Sequence, residues 1–153
     1  AAQEKKVHEL IHLVGLQGFE DAYPHTLSGG MKQRVSIARA LAYDPDVLLM
    51  DEPFGALDAQ TRRRLISDLI KIHEATRKTI LFVTHSVEEA IELADRICLF
   101  SARPSSIKDI IEVNVPRPRD VTSEEFVNLQ RDLLKGLDVE VEKTIHMEEP
   151  QPN

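Results

Sequence analysis

Residues 27–58 read LSGGMKQRVSIARALAYDPDVLLMDEPFGALD, and two kinds of chemistry stand in them a short helix apart. The first is Leu27-Ser28-Gly29-Gly30-Met31, a Ser-Gly-Gly turn opening into a helix. Ser28 is a good N-cap, and the glycines leave bare backbone N–H groups at the positive end of the helix dipole. That builds an anion site, most naturally for phosphate. The second is Val47-Leu48-Leu49-Met50-Asp51-Glu52-Pro53, an apolar run of the kind found in buried parallel strands, ending in two adjacent carboxylates. Ligands of open α/β sheets bind at the carboxyl ends of strands, which puts Asp51 and Glu52 where chemistry is done.

Each piece alone has an ordinary reading, a turn in one case and a polar strand end in the other. In this order they gain weight, with Gly55-Ala56-Leu57-Asp58 following and Thr84-His85 closing the next apolar run. The set resembles the signature motif, Walker B strand, D-loop and H-loop of the ATP-binding cassette (ABC) transporter ATPases. The resemblance spans residues 7–118, and Tyr23-Pro24-His25-Thr26 before the Ser-Gly-Gly turn fits it. Met31 departs from the family's commoner Gln.

Composition narrows the class independently. At 153 residues the chain is one domain by length and large enough to bury a core. A net charge of -7 speaks against a nucleic-acid surface, which wants a basic face. The single cysteine, Cys98, excludes an internal disulfide and fits a reducing compartment. Its apolar neighbours Ile97 and Leu99 predict a small buried hydrophobe there. No apolar run is long enough for a transmembrane helix, and no signal-peptide pattern opens the sequence. It does not open with Met, so a missing beginning is expected.

The first helix carries a lure. His8-Glu9-Leu10-Ile11-His12 matches H-E-x-x-H, the zinc-protease helix, and Gly15 extends the match towards the longer metzincin pattern. Gly18 then stands where a third histidine belongs, and a catalytic zinc needs three protein ligands. Glu20 and His25 lie nearby in an unpatterned loop. Two exposed histidines beside an apolar stripe are the favoured reading over a zinc peptidase.

In chain order, residues 4–14 form an amphipathic helix with Val7, Leu10, Ile11 and Val14 on one face and Gly15 as its stop. The helix after Gly30 is expected to turn Met31, Val35, Ala38 and Ala42 inward. Asp58 is an N-cap, and the helix over residues 59–75 puts Leu65, Leu69 and Ile72 inside. Arg62, Arg63 and Arg64 are read as a solvated face. Strands at 79–84 and 96–100, with a short helix at 87–93 between them, extend a parallel sheet. Residues 107–115 form a strand antiparallel to the preceding one. Thr122-Ser123-Glu124-Glu125 is a capping box opening a helix that stops at Gly136. Residues 146–153 read as disordered.

The fold class is therefore α/β. By resemblance it is a partial P-loop (RecA-like) parallel sheet flanked by helices, with a remnant of the helical subdomain and a C-terminal helix. Residues 1–43 would be that remnant, 44–115 the C-terminal part of the nucleotide-binding core, and 116–153 an extension. The resemblance implies ATP and Mg²⁺ as cofactors. It implies Asp51 as the Mg²⁺ ligand, Glu52 as the group that polarises the attacking water, and His85 near the γ-phosphate. It implies that Ser28, Gly29 and Gly30 contact ATP held by a second ATPase subunit in a head-to-tail dimer, and that Asp58 bridges to that subunit. No G-x-x-x-x-G-K-[ST] occurs, so the phosphate loop is expected upstream and the chain alone is expected to be inactive. By resemblance the strand carrying that loop lies between strands 79–84 and 96–100, so those two are expected not to pair with each other. An Asp-Glu-Pro-Phe-Gly-Ala-Leu-Asp run and a Ser-Ala-Arg-Pro-Ser-Ser-Ile turn look most like the ATPase subunits of bacterial nitrate, sulfonate and taurine importers. Such a subunit lies at the cytoplasmic face of the inner membrane, bound to permease subunits and indirectly to a solute-binding protein. A family ATPase acting on DNA or ribosomes would carry long insertions or a basic face, and this sequence has neither.

Overall fold

A computed structural model describes residues 2–148, with side chains over residues 3–138. Two compact units form, Ala1–His85 and Ser86–Asn153. In the first, α1 (Ala2–Leu13) and α2 (Gly29–Ala42) lead into β1 (Val47–Asp51), α3 (Ala59–Thr76) and β2 (Thr79–Val83). β1 and β2 pair in parallel, with Val47 opposite Thr79 and Asp51 opposite Val83. A parallel pair needs a crossover, which α3 provides. Asp58 starts α3 by accepting hydrogen bonds from the Gln60 and Thr61 N–H groups at 3.1 and 3.0 Å. Arg77 ends it in the left-handed conformation, at φ 55°.

The first unit's core joins Val14, Leu16, Ile37, Leu41, Leu48 and Ile72. Leu65, Leu69 and Ile72 are buried as their spacing predicts, and Ile66 joins them. Two helical faces differ from the sequence reading. Val7 is exposed, and the buried face of α2 runs through Gly30, Ile37 and Leu41 while Val35 is exposed. Arg34 lies on that same face, one turn from Gly30 and one from Ile37. Its guanidinium donates to the Val14 and Gly15 carbonyls at 3.3 Å each and pairs with Asp68 at 2.5 Å. An i, i+4 count by apolar residues alone passes over such a position. Arg62 is likewise not a free surface charge, since it donates to the Leu57 carbonyl at 3.1 Å.

The strands are covered on one face only. Leu48, Met50, Ile80 and Phe82 turn inward, whereas Leu49 is 75% exposed and Val47, Leu81 and Val83 are exposed beside it. The uniform apolar run had suggested burial on both faces.

The second unit contains α4 (Val87–Leu93), β3 (Arg96–Phe100), β4 (Ile107–Glu112) and α5 (Glu124–Glu148). β3 and β4 pair antiparallel, from Arg96 opposite Glu112 to Phe100 opposite Ile107. Among the described residues there are thus two two-stranded sheets, and only β1 and β2 form the parallel one. Among the described residues β2 and β3 are not ladder partners, in keeping with the gap expected between strands 79–84 and 96–100. Ile91, Val113, Phe126 and Leu133 make the core of this unit. Cys98 is exposed on the open face of the hairpin, opposite Ile110, and not buried.

Arg119 is the polar staple of the unit. Its guanidinium donates to the carbonyls of Ile91, Ala94 and Val115 at 2.5–2.8 Å and reaches those of Glu92 and Val113. It therefore satisfies the bare carbonyl end of α4. The expected Thr122–Glu125 capping box does not form: Ser123 is the cap and accepts from the Phe126 N–H, while Thr122 donates back to Asp120. α5 does not stop at Gly136. A Cβ at that glycine would stand 3.0 Å from Leu99 Cδ2, so Gly136 serves close packing inside the helix. Of the stretch read as disordered, residues 146–148 are in α5, and 149–153 lie outside the described residues.

Candidate functional site

The parallel pairing of β1 and β2 brings their carboxyl ends to the same edge. Asp51 is the last residue of β1, and its alternation with Leu49 places it on the open face of the sheet. Glu52 follows with φ 41°, a left-handed backbone that is uncommon outside glycine. Its N–H donates to the Val83 carbonyl at 2.9 Å, and its own carbonyl accepts from Gly55 at 3.2 Å. Phe54 is fully buried and packs against Phe82 with ring centroids 5.5 Å apart, pinning the turn that follows. Two residues beyond β2, His85 presents Nδ1 at 3.2 Å from Glu52 Oε1. Both side chains are exposed and open to a reactant.

The backbone reversal at Glu52 matters for chemistry. It turns the Glu52 side chain out of the strand's alternation, so the two adjacent carboxylates are free to take different tasks. Strained backbone of this kind gathers at functional sites.

A second group forms at two helix starts. Ser28 caps α2 by accepting from the Met31 N–H at 3.3 Å. Gly30 is buried against α3, where Thr61 Cγ2 would lie 2.7 Å from any Cβ placed on it. Gly29 faces Leu57 in the same way, with Leu57 Cδ2 3.3 Å from such a Cβ. Asp58 is held below the usual carboxylate range, first by the Thr61 side chain and then by the Thr61 N–H, with the Gln60 N–H adding to it, against the opposing effect of burial. The expected site residues are thus brought together in two groups: Glu52 with His85, beside Asp51, and the Ser28-Gly29-Gly30 turn with Asp58. Sequence reasoning passed over Phe54 and Thr61, which position these groups. A Thr three residues after an Asp cap was the available signal for the second.

Mg²⁺ is a hard ion that takes one or two protein carboxylates and completes its shell with water and phosphate oxygens. One exposed carboxylate at a strand end, Asp51, fits that demand. Among the described residues no group of three His, Cys, Asp or Glu side chains could hold a metal ion, the His8–His12 helix included.

The first unit thus sets Asp51-Glu52 and His85 at the carboxyl ends of a parallel strand pair and a capped Ser-Gly-Gly turn at the start of α2. Solved structures carry the same fold. A cbiO1 protein of Clostridium perfringens, part of an ABC transporter complex, superposes with TM-score 0.67 at 21% identity over 96% of this chain and 53% of that one. A dimeric bacterial ABC transporter cassette superposes with TM-score 0.57 at 34% identity over 72% of this chain and 47% of that one. The ABC transporter family model matches residues 2–55. An uncharacterized ABC transporter ATP-binding protein of Methanocaldococcus jannaschii is 55% identical over 137 residues, 90% of this chain and 51% of that protein. An aliphatic sulfonates import ATP-binding protein of Bacillus cereus is 52% identical over 130 residues, 85% of this chain and 52% of that protein. The chain belongs to the ABC transporter ATP-binding family. It spans about half the length of the curated relatives it matches.

Proposed function

We propose that this chain carries the hydrolytic edge of the ATP-hydrolysing subunit of a bacterial ABC importer. The observation that carries the reading is the Glu52–His85 contact at 3.2 Å, built by the carboxyl ends of two parallel strands. Mg²⁺, when bound, supplies positive charge against the phosphates. Asp51 holds it. Glu52 accepts the proton of the attacking water, and His85, whose Nδ1 also meets the Glu52 carboxylate, stands towards the γ-phosphate. Ser28, Gly29 and Gly30 offer backbone N–H groups to nucleotide held by a second subunit, and Asp58 faces that subunit.

Residues 1–43 then belong to a helical subdomain, 44–115 to the nucleotide-binding core and 116–153 to an extension. Permease subunits and, through them, a solute-binding protein are the remaining partners, which places the protein at the cytoplasmic face of the inner membrane. The solute class is a small anion of the sulfonate, taurine or nitrate type, supported by relatives named for aliphatic sulfonate import. The 153-residue chain alone lacks a G-x-x-x-x-G-K-[ST] phosphate loop and is expected not to turn over ATP.

The test compares this chain with a protein extended to the relatives' length. The longer protein should hydrolyse ATP with Mg²⁺ and, reconstituted with its permease in vesicles, take up a labelled alkanesulfonate. Turnover by the short chain that Glu52→Gln abolishes would refute the fragment's inactivity. Absence of turnover in the longer protein would refute the ATPase reading.

A further inference from the structure

Three arginines follow one another near the start of α3, and one of them is placed unlike its neighbours. Arg63 and Arg64 are exposed, whereas Arg62 is part-buried. Its side chain runs back towards the start of the helix, where Nη2 donates to the Leu57 carbonyl at 3.1 Å. Its own N–H closes the first turn on the Asp58 carbonyl at 2.9 Å. This is an unfavourable place for a cation. The amino end of a helix is the positive end of its dipole, and basic side chains sit better at the other end. A guanidinium held there needs a compensating contact, and the Leu57 carbonyl supplies one.

With Asp58 as the cap, Leu57 and Arg62 stand one residue before it and four after it. A hydrophobic staple usually joins these two positions and fixes the angle at which the chain enters its helix. Here a hydrogen bond from the Arg62 fork to the Leu57 backbone takes that part. The stretch that enters α3 is the one between Glu52 and Asp58. The Glu52 carbonyl accepts from the Gly55 N–H at 3.2 Å, and the Phe54 carbonyl accepts from the Leu57 N–H at 3.1 Å. Phe54 is fully buried and fastens the near end of the stretch, while Gly55 and Ala56 are exposed. Arg62 fastens the far end, one residue before Asp58.

We propose that Arg62 is a positioning residue for the turn between Glu52 and Asp58. Its hold on the Leu57 carbonyl sets the course of that turn and the direction in which Asp58 is presented. Neither neighbour can replace it, because one step along a helix rotates a side chain by about 100°. The consequence for hydrolysis rests on the proposed ATPase reading, in which Glu52 takes the proton of the water and Asp58 faces a second subunit. A turn fixed at both ends presents the two carboxylates already in place, which bears on the rate of a positioned reaction more than on nucleotide affinity.

The hold is testable in the 153-residue chain, independently of catalysis. Arg62→Met keeps the apolar stem and removes the donors. Arg62→Lys keeps the charge but not the planar fork. Arg63→Met removes the same charge from the exposed neighbouring position. Amide hydrogen exchange is followed by NMR at Gly55 and Leu57, with Leu65 and Leu69 reporting on the helix itself. Arg62→Met should speed exchange at Gly55 and Leu57 by roughly tenfold, the worth of one hydrogen bond, and leave Leu65 and Leu69 nearly unchanged. Arg62→Lys should fall between Arg62→Met and wild type, and Arg63→Met should match wild type. In the protein of full length, Arg62→Met should lower kcat more than it changes KM for ATP, and Arg62→Lys should recover part of the loss. Exchange at Gly55 and Leu57 that Arg62→Met leaves unchanged, or that Arg63→Met speeds as much, would overturn the proposal. So would a wild-type kcat in Arg62→Met. Should Arg62→Met fail to fold, the order of Arg62→Lys against Arg63→Met still decides it. A full-length wild type without turnover would defeat the ATPase reading and leave the hold of Arg62 to the exchange measurement.

Discussion

His85 Nδ1 lies 3.2 Å from Glu52 Oε1, and the two residues come from the ends of adjacent parallel strands. Neither is buried, so solvent screening keeps the contact from being a large source of stability. Its value lies in orientation. Glu52→Gln keeps the size and removes the basic carboxylate. In the protein of full length it should cut kcat by roughly 10²–10⁴ while nucleotide affinity stays near wild type. His85→Ala should also lower kcat, with affinity preserved. Steady-state hydrolysis and equilibrium nucleotide binding separate the outcomes, and wild-type turnover in Glu52→Gln would remove the general-base assignment.

The backbone at Glu52 gives a prediction that needs no catalysis. Its φ of 41° favours a residue without a Cβ. Glu52→Gly and Glu52→Ala both delete the carboxylate and differ only in that atom. Glu52→Gly should be the more stable by about 1 kcal/mol, the reverse of the usual order in regular structure. Denaturant unfolding of this chain measures the difference. Equal stabilities would mean the left-handed conformation is not retained.

Much of this was legible locally. Ser28, Asp58 and Ser86 cap their helices through hydrogen bonds spanning three residues, and such bonds are written in adjacent letters. The strands 47–51, 79–83 and 96–100 and the residues at their ends were placed by apolar runs and turn chemistry alone. What the sequence hid depends on partners distant in it. Val35 and Val7 are apolar yet exposed, while Arg34 occupies the inward face because Asp68 and the end of α1 receive it. Gly136 looks like a helix stop and is a packing gap for Leu99. Cys98 shares an apolar run with Leu99 but sits on the opposite face of the strand.

Asp58 predicts an acid limb. Its folded pKa is depressed, chiefly by the Thr61 side chain, so its contribution is present above the unfolded value. That contribution is lost as pH falls through the folded pKa, which lies below the ordinary aspartate range. Asp58→Asn keeps a capping side chain and removes the titration. Thermal midpoints taken from neutral pH down into that acid range should therefore fall less steeply for Asp58→Asn than for wild type. Asp44, depressed by Lys78, and Asp120, depressed by Thr122, titrate in both proteins and cancel in the comparison. Parallel curves would show that the cap does not discriminate between the charged and neutral forms.

Arg119 should matter more than its place in a Pro-Arg-Pro-Arg segment suggests. Its fork serves carbonyls of Ile91, Glu92 and Ala94 at the end of α4 and of Val113 and Val115 after β4. A lysine keeps the charge but not the planar fork. Arg119→Lys should cost about 1 kcal/mol and Arg119→Met about 2 kcal/mol or more, because part-buried carbonyls lose their donor. Chemical denaturation gives both values. An undisturbed Arg119→Met would show that water satisfies these carbonyls equally well.

The open face of the parallel sheet carries the last prediction. Val47, Leu49, Leu81 and Val83 line it, Leu49 directly opposite Leu81, with Leu49 75% exposed and the other three 48–58% exposed. Contiguous exposed apolar surface marks either a covered interface or an aggregation hazard. The chain spans about half the length of its relatives, which makes a covering segment in the longer protein the natural occupant. Leu49→Lys separates the two situations by the sign of its effect. In the 153-residue chain the lysine removes exposed apolar area and buries nothing, so light scattering on heating should fall while the unfolding midpoint holds. In a protein of the relatives' length the same lysine would be forced under the covering segment, where a Leu-sized apolar contact worth roughly 1.5–3 kcal/mol is lost and a charge must be desolvated. There Leu49→Lys should destabilise strongly, and Leu49→Ala should do so to a lesser degree. Leu49→Lys tolerated equally in both lengths would mean that the face stays open in the whole protein.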